Sequence, residues 1–216
     1  MKKIVLLLSV VLTLALVVPV AYAQNLSKSE QKILKKMEKE ARKDAKAYKK
    51  EGWKVAPGKM PIETQLLEAR KLSLQQDDYG FPFYVEGTAV ATGTQYDGAL
   101  FKATSVVRTR IAERLESIIV ETITVKQENK EISKDEATSL VEAVGIAKQL
   151  VSQKLGRVII PLEMYRELKD GRIEVSIIGF YNQELAFATF VEAMHDNLLE
   201  EADELSGRIE DIFKRR

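Results

Sequence analysis

The sequence predicts an α+β domain: a small antiparallel sheet of about three strands packed against long amphipathic helices. Two segments, 95–126 and 182–214, repeat apolar residues every three or four positions over many turns, which indicates long helices. Three shorter segments, 83–91, 157–168 and 172–181, have the character of strands. With two further helices before the first strand, the predicted order is α-α-β-α-α-β-β-α.

The first residues are typical of a secretory signal peptide. An apolar run from Ile4 to Val18 follows two lysines, and Ala21-Tyr22-Ala23 fits the small-x-small pattern of a cleavage site. The alternative is a retained membrane anchor, but the run is shorter than the ~20 residues that span a bilayer. We therefore expect residues 1–23 to be removed and the mature protein to be exported, to the periplasm or the outer membrane.

Cysteine is absent from the chain. An exported protein without cysteine has no disulfide, no thiol nucleophile and no cysteine-based metal site, and it cannot be lipidated at the cleavage point. Removing 23 residues from 216 leaves 193, enough for one domain with a real core. Two of the 33 basic residues leave with the signal, so 31 basic residues face 32 acidic ones, a balance that argues against nucleic-acid binding.

A charged helix is predicted to open the mature chain. Residues 28–51 contain ten Lys or Arg and five Asp or Glu, with a narrow apolar stripe, and Gly52 ends the helix. Trp53 then begins an extended connector with proline and glycine. We expect residues 24–60 to form a charged helical arm with this connector, and residues 61–216 to form a single α+β domain.

The remaining elements follow from local signals. A helix is predicted from Ile62 to about Gln75, and the small residues of strand 83–91 suggest that a helix crosses close to that strand. Ser133 and Glu136 form a capping box before a helix that ends at residue 155. The predicted buried stripe of helix 95–126 comprises Tyr96, Ala99, Ala103, Val107, Ile111, Leu115, Ile118, Thr122 and Val125.

Two local sequence features bear on the predicted hairpin of the last two strands. Asp170-Gly171 predicts the turn between the last two strands. Pro161 has no N–H to donate to a ladder, so its strand must lie at an edge of the sheet or be bulged there.

The sequence offers no catalytic constellation. The single histidine, His195, lies in the last predicted helix without a G-x-S-x-G elbow, and a lone helical histidine is more often a surface or core residue than a base. Asp77-Asp78 lacks the spacing of a calcium loop, and the glycines at 87 and 93 do not form a dinucleotide fingerprint. We therefore predict no catalytic residue, no metal ligand, no cofactor and no enzymatic activity.

Charge is unevenly distributed along the mature chain. Residues 28–51 have a net charge of +5, whereas the last predicted helix is rich in Asp and Glu. The basic arm has three open uses: docking on its own acidic helix, pairing with a second molecule, or weak contact with an anionic envelope surface. A simply solvated helix is the alternative to all three.

Part of the chain resembles a known family. The passages VEGTAVATGTQYDGALFKATSVVRTRIAERL, SQKLGRVIIPLEMYREL and RIEVSIIGFY are similar to the LPP-twenty lipoprotein family, small exported α+β proteins of the Gram-negative envelope, over roughly Tyr84 to Met194. EGWKVAPG is also similar to a segment of uncharacterised secreted proteins of Gram-negative bacteria. The resemblance implies an envelope location and a binding or scaffolding role without a known reaction. Family members are lipidated on a cysteine, which this chain lacks.

These observations favour a non-enzymatic envelope protein that associates with itself or with another envelope protein. One alternative is a periplasmic carrier of a small apolar or glycan ligand, and another is a hydrolase that uses carboxylates alone. A carrier pocket would draw on the aromatic residues Phe81, Phe83, Tyr84, Phe180 and Tyr181, although core packing explains these residues better.

Five residues are candidates for an interaction or anchoring role: Trp53, Tyr48, Pro57, Phe83 and Tyr84. Trp53 lies where the charged arm meets the folded domain, and one large indole there can bury enough area to fix the arm. We favour this anchoring role over a ligand-binding platform.

Overall fold

The computed structural model describes residues 28–77, 80–195 and residue 207. Its elements are α1 (Lys28–Lys50), α2 (Ile62–Ser73), β1 (Tyr84–Gly93), α3 (Tyr96–Glu128), α4 (Lys134–Lys154), β2 (Ile159–Glu167), β3 (Ile173–Asn182) and α5 (Gln183–His195). The order is the predicted one, and the α+β class with a three-stranded antiparallel sheet is confirmed. The predicted signal peptide, and the predicted last helix beyond α5 apart from residue 207, lie outside the described residues.

The chain divides into two compact units, residues 1–39 and 40–216, so the division falls inside α1. In the first unit the described residues continue the helix, and Ile33 is exposed. The second unit contains the sheet and all the helices that pack on it. We predicted a boundary after residue 60; the contacts instead group residues 40–60 with the sheet, because Ala41, Ala45 and Trp53 are buried there.

β3 is the central strand, between β1 and β2. Its register pairs Gly179 with Gly87 of β1, and Ser176 with Met164 of β2. A turn at Asp170-Gly171 joins β2 to β3, with Gly171 at a φ of +80° that favours glycine. The predicted hairpin turn is therefore present.

Helix α3 crosses one face of the sheet at a pair of glycines. A Cβ on Gly179 would lie 2.5 Å from Cγ1 of Val107, and a Cβ on Gly87 would lie 2.7 Å from the backbone oxygen of Val107. Since Gly87 and Gly179 are directly opposite each other, Val107 lies above the line between β1 and β3. The prediction that small residues in this strand admit a crossing helix agrees with this contact.

The buried stripe of α3 differs from the prediction in its C-terminal half. From Ala99 to Leu115 the predicted residues are buried, whereas Tyr96 is half-buried; beyond Leu115, Ile119 and Ile123 are buried as well as Thr122. Ile118 is only half-buried and Val125 is exposed, so these two predicted core positions are wrong. The reason is a change of packing partner: the N-terminal half faces the sheet, whereas the C-terminal half packs against α4, where Lys148 pairs with Glu116 at 2.9 Å.

Helices α4 and α5 complete this layer. At the start of α4 the Ser133 hydroxyl accepts a hydrogen bond from the Glu136 N–H at 3.1 Å, as the capping signal predicted. α4 buries Leu140, Val144 and Val151 against the same core that receives Phe190 of α5.

The opposite face of the sheet is covered at its β2 side. Leu162 and Met164 of β2 point away from α3 and pack against α2 and the end of α1. Pro161 lies in this strand, which is at the sheet edge and has a register irregularity between Ile159 and Leu162. Both alternatives that the proline allowed are thus found together.

Candidate functional site

Trp53 lies in the core that joins α1 to the sheet. Gly52 adopts a φ of +87° after the last turn of α1, and the Trp53 N–H then donates to the carbonyl of Tyr48 at 3.0 Å. The indole is buried in a cluster of apolar side chains. This cluster, the Trp53 cluster, comprises Ala41, Ala45, Trp53, Ile62, Leu66, Leu162 and Met164.

Two neighbouring contacts hold this region against β2. The guanidinium of Arg166 lies 4.5 Å from the centroid of the Trp53 ring and also pairs with Glu174 at 2.6 Å. Lys54 donates its N–H to the Tyr165 carbonyl at 2.7 Å and accepts the Tyr165 N–H at 2.8 Å. A ligand platform needs an exposed ring face, so this burial supports the anchoring role that we proposed for Trp53.

The five candidate residues do not form one site. Tyr48 is half-buried against the Trp53 cluster, and Pro57 is exposed in the connector. Phe83 and Tyr84 lie instead at the start of β1, the other edge strand, with ring centroids 5.0 Å apart in an edge-to-face arrangement. The structure therefore brings together Tyr48 with Trp53, and separately Phe83 with Tyr84.

A groove runs between α3 and β1, and we call it the α3–β1 groove. It consists of two adjoining hollows of about 620 Å³ and 410 Å³, which share Pro82, Arg114, Ile118 and Gln183 as lining. The larger hollow follows β1 from Tyr84 to Thr88, and the smaller reaches Phe81 and Val125. Ile118 and Val125 line the groove because the buried stripe of α3 turns away from them toward α4.

Charges of both signs line the α3–β1 groove. Arg110 pairs with Glu113 at 2.8 Å, and Lys126 pairs with Glu131 at 2.9 Å. Arg114, between these pairs, is exposed and has no ion pair within the described part of the chain. The groove thus offers mixed apolar and polar contacts without a strong net charge.

A group of polar side chains, which we call the Glu163 cluster, surrounds Glu163 on β2. The buried Glu163 carboxylate accepts a hydrogen bond from the Tyr96 hydroxyl at the start of α3 and pairs with Lys59 of the connector at 3.2 Å. The backbone N–H of Glu163 donates to the side-chain oxygen of Gln65 on α2 at 2.7 Å. Burial, together with the hydrogen bond to Glu163, raises the pKa of Tyr96 above its ordinary value.

The Glu163 cluster is suited to holding elements together rather than to proton transfer. The Glu163 carboxylate binds a phenol of α3 and an ammonium of the connector, and the Glu163 backbone N–H binds an amide oxygen of α2. Across residues 28–77 and 80–195, no group of three His, Cys, Asp or Glu side chains is placed to hold a metal ion. Sequence reasoning missed this cluster because a single acid in a strand gives no signal of its distant partners.

None of the described helices is both long enough and apolar enough to cross a membrane. Neither the models of known protein families, nor characterised proteins, nor solved structures give a match to this chain. The resemblance to the LPP-twenty lipoprotein family stays a prediction.

Proposed function

We propose that this chain is a non-enzymatic exported protein of the cell envelope that binds other proteins in an interaction or scaffolding role. The observation that supports it best is the α3–β1 groove with its exposed apolar rim. Phe81, Phe83 and Val125 are 39%, 41% and 48% exposed beside the groove. Apolar side chains grouped around an open groove are typical of surfaces that receive another polypeptide.

The envelope location rests on the sequence. The predicted signal peptide directs export. Because the chain lacks cysteine, the mature protein would not carry a lipid anchor at the cleavage point. The basic N-terminal part of α1 would add at most a weak contact with anionic envelope surface, because the apolar stripe of that helix is narrow. Nucleic acid is not among the partners we propose.

A carrier of a small apolar or glycan ligand is the second candidate. The two hollows have volumes within the range of ~300–1,000 Å³ that ligand pockets occupy. Of the five aromatic residues considered for a pocket, Phe81 and Tyr84 line the groove, Phe83 is exposed nearby, and Phe180 and Tyr181 are buried in the core. An open groove encloses an extended polypeptide more readily than it encloses a small molecule, so we favour protein binding.

Capture from envelope fractions tests the proposal. The mature chain and its Val125→Lys variant would serve as baits, and we expect Val125→Lys to lose most of the captured protein because it places a charge in the groove. Val106→Lys is the matched control, since Val106 is 38% exposed on the same helix and does not line the groove.

Loss of capture by both variants, or by neither, would contradict a groove-based binding function. A third bait that begins at Glu40 separates the N-terminal part of α1 from the groove, because the Trp53 cluster begins at Ala41 and stays intact. Native mass spectrometry of protein purified from its own host addresses the carrier: a co-purifying small molecule would favour it.

A further inference from the structure

The two edge strands of the sheet differ in how they are protected. Edge strands expose backbone groups that pair readily with another chain, and proteins usually block them. β2 is blocked by its irregularity at Pro161, by the two hydrogen bonds between Tyr165 and Lys54, and by the Gln65 side chain on the Glu163 N–H. Charged Glu163 and Arg166 lie on the same strand. β2 is therefore not available to a further strand.

β1 lacks the features that block the edge of β2. Between Tyr84 and Gly93 it has no proline and no lysine, and Glu86 is its one charged residue. Its ladder with β3 is regular over ten consecutive pairs. Its outer edge has no strand partner among the described residues.

The hydrogen-bond pattern identifies which backbone groups of β1 point outward. The N–H and C=O groups of Tyr165 in β2 point outward and bond to Lys54. Because these groups alternate in direction along a strand, those of Met164 and Arg166 point inward and bond to their even-numbered partners in β3. The odd-numbered residues of β3 must then bond to β1, and the register pairs them with odd-numbered residues of β1. The N–H and C=O groups of Tyr84, Glu86, Thr88, Val90 and Thr92 consequently face the open edge.

An independent contact agrees with this assignment. The ammonium of Lys102 donates to the carbonyl of Thr92 at 3.3 Å, which requires that carbonyl to point away from β3. This contact also blocks the end of the edge at Thr92. The outward N–H and C=O groups from Tyr84 to Val90 have no hydrogen-bond partner within the described part of the chain.

We propose that β1 pairs with β1 of a second copy of this chain, antiparallel across a two-fold axis, to form a continuous six-stranded sheet. The proposal rests on the protein-binding function above and names its partner as the chain itself. The partner strand would occupy the larger hollow of the α3–β1 groove, which runs along Tyr84 to Thr88. Pairing would satisfy the outward N–H and C=O groups of both strands.

The charges of the groove favour a second copy. The larger hollow is lined by Arg110 and Arg114 and by Glu86 and Glu113, so its formal charges cancel. A strongly acidic or basic peptide would gain no net electrostatic attraction from such a lining. A second copy of the chain brings the same balance of positive and negative charges. The two-fold axis places the two α3 helices side by side in opposite directions, which lets basic residues of one helix meet acidic residues of the other.

Glu86 restricts the register of the pairing. A two-fold axis through Glu86 would place two carboxylates directly opposite each other, which is unfavourable in a sheet. An axis near Thr88 instead sets Glu86 opposite neutral residues of the other strand. Because Val107 lies above the line between β1 and β3, α3 leaves the outer edge of β1 open at this position.

Light scattering coupled to size exclusion, over a concentration series of the mature chain, tests the pairing. We expect a dimer, and about a tenfold rise in the dissociation constant for Val90→Glu, because an axis near Thr88 sets residue 90 of each strand opposite Glu86 of the other, and the two-fold axis repeats this like-charge repulsion. Ile146→Glu is the matched control: Val90 and Ile146 are 58% and 56% exposed, and Ile146 lies on α4. It should dimerise like the unmodified chain.

A second variant locates the contact without weakening it. Because the chain has no cysteine, Thr88→Cys introduces a single thiol, and a short bismaleimide can then link only two molecules. We expect covalent dimers from Thr88→Cys and few from Ser139→Cys, whose residue is exposed on α4. Dimers that form equally from both variants, or that persist unchanged when Val90→Glu is added to Thr88→Cys, would overturn the proposal.

The results separate this inference from the proposed function. A chain that is monomeric at every concentration overturns the pairing of two copies. If that monomer still captures an envelope protein, and loses it with Val125→Lys but not with Val106→Lys, the binding function stands with a different partner. A monomer that captures nothing contradicts both.

Discussion

Glu163 shows how a single buried residue can organise several elements. Its carboxylate and backbone N–H contact Tyr96, Lys59 and Gln65, which belong to α3, the connector and α2. A buried carboxylate that loses a donor keeps the cost of its desolvation. The cluster should therefore respond strongly to the removal of one hydrogen bond.

Replacing Tyr96 by Phe should destabilise the protein by about 1–3 kcal/mol at neutral pH, since the Glu163 carboxylate loses a hydrogen-bond donor. Urea unfolding followed through the single tryptophan, Trp53, measures the change. Tyr165→Phe is the control because Tyr165 is a neighbouring ring, 5.3 Å from Tyr96 between centroids. Its hydroxyl has no hydrogen bond within the described residues, so an equal loss in both variants would contradict the account.

The same bond predicts a pH dependence. The pKa of Tyr96 is raised by burial and by its hydrogen bond to Glu163, so the folded state holds the phenolic proton more tightly than the unfolded state. The stability from this group is complete below the ordinary tyrosine pKa of about 10 and is lost as the pH rises above it. Above that pH, the free energy of unfolding should fall less steeply with pH in Tyr96→Phe than in the unmodified chain. An equal slope in the two proteins would contradict the assignment to Tyr96.

At the scale of elements, the end of α1 is attached to the sheet through Trp53. The indole packs with residues of α1, α2 and β2, and no other tryptophan is present in the chain. The sequence predicted Trp53 at the junction of a charged arm and the folded domain, whereas Trp53 lies inside the second compact unit, which begins at residue 40. It did not reveal that α1 from Ala41 onward is part of the packed unit, because two alanines give only a weak apolar stripe.

Trp53→Ala should loosen residues 40–60 while the sheet stays folded, since it removes the largest side chain of the Trp53 cluster. Limited proteolysis with mass-spectrometric mapping of the cuts measures this, and we expect faster cleavage within residues 40–60. Met60→Ala, at an exposed position of the same connector, should behave like the unmodified chain. Unchanged protease sensitivity in Trp53→Ala would refute the anchoring role.

Helix α3 marks the limit of prediction from periodicity. The sequence predicted its bounds to within about two residues and its buried stripe from Ala99 to Leu115. Steps of four residues advance the buried face around a helix of 3.6 residues per turn, so the stripe winds when the packing partner changes from the sheet to α4. The spacing of apolar residues in α3 carries no information about where α4 packs. For this reason the prediction assigned Ile118 and Val125 to the core.

For the whole molecule, the fold class followed from local patterns, but the α3–β1 groove did not. Alternation, turns and capping signals each concern a few neighbouring residues, and together they were sufficient for three strands and their order along the chain. The groove arises where Phe81, Arg114 and Gln183 meet from distant parts of the chain. Likewise, the open edge of β1 follows from the order of strands in the sheet, which the sequence alone did not specify.

Hydrogen exchange resolved to single residues of β1 tests the central claim, that this open edge binds another chain. The N–H groups of Val85, Gly87 and Ala89 bond to β3 and should exchange slowly under all conditions. Those of Glu86, Thr88 and Val90 should slow as the concentration rises or on adding envelope proteins. Val90→Glu should restore fast exchange at Glu86 and Thr88, because it sets like charges opposite each other. Fast exchange of all three at every concentration and with envelope proteins present would contradict the claim.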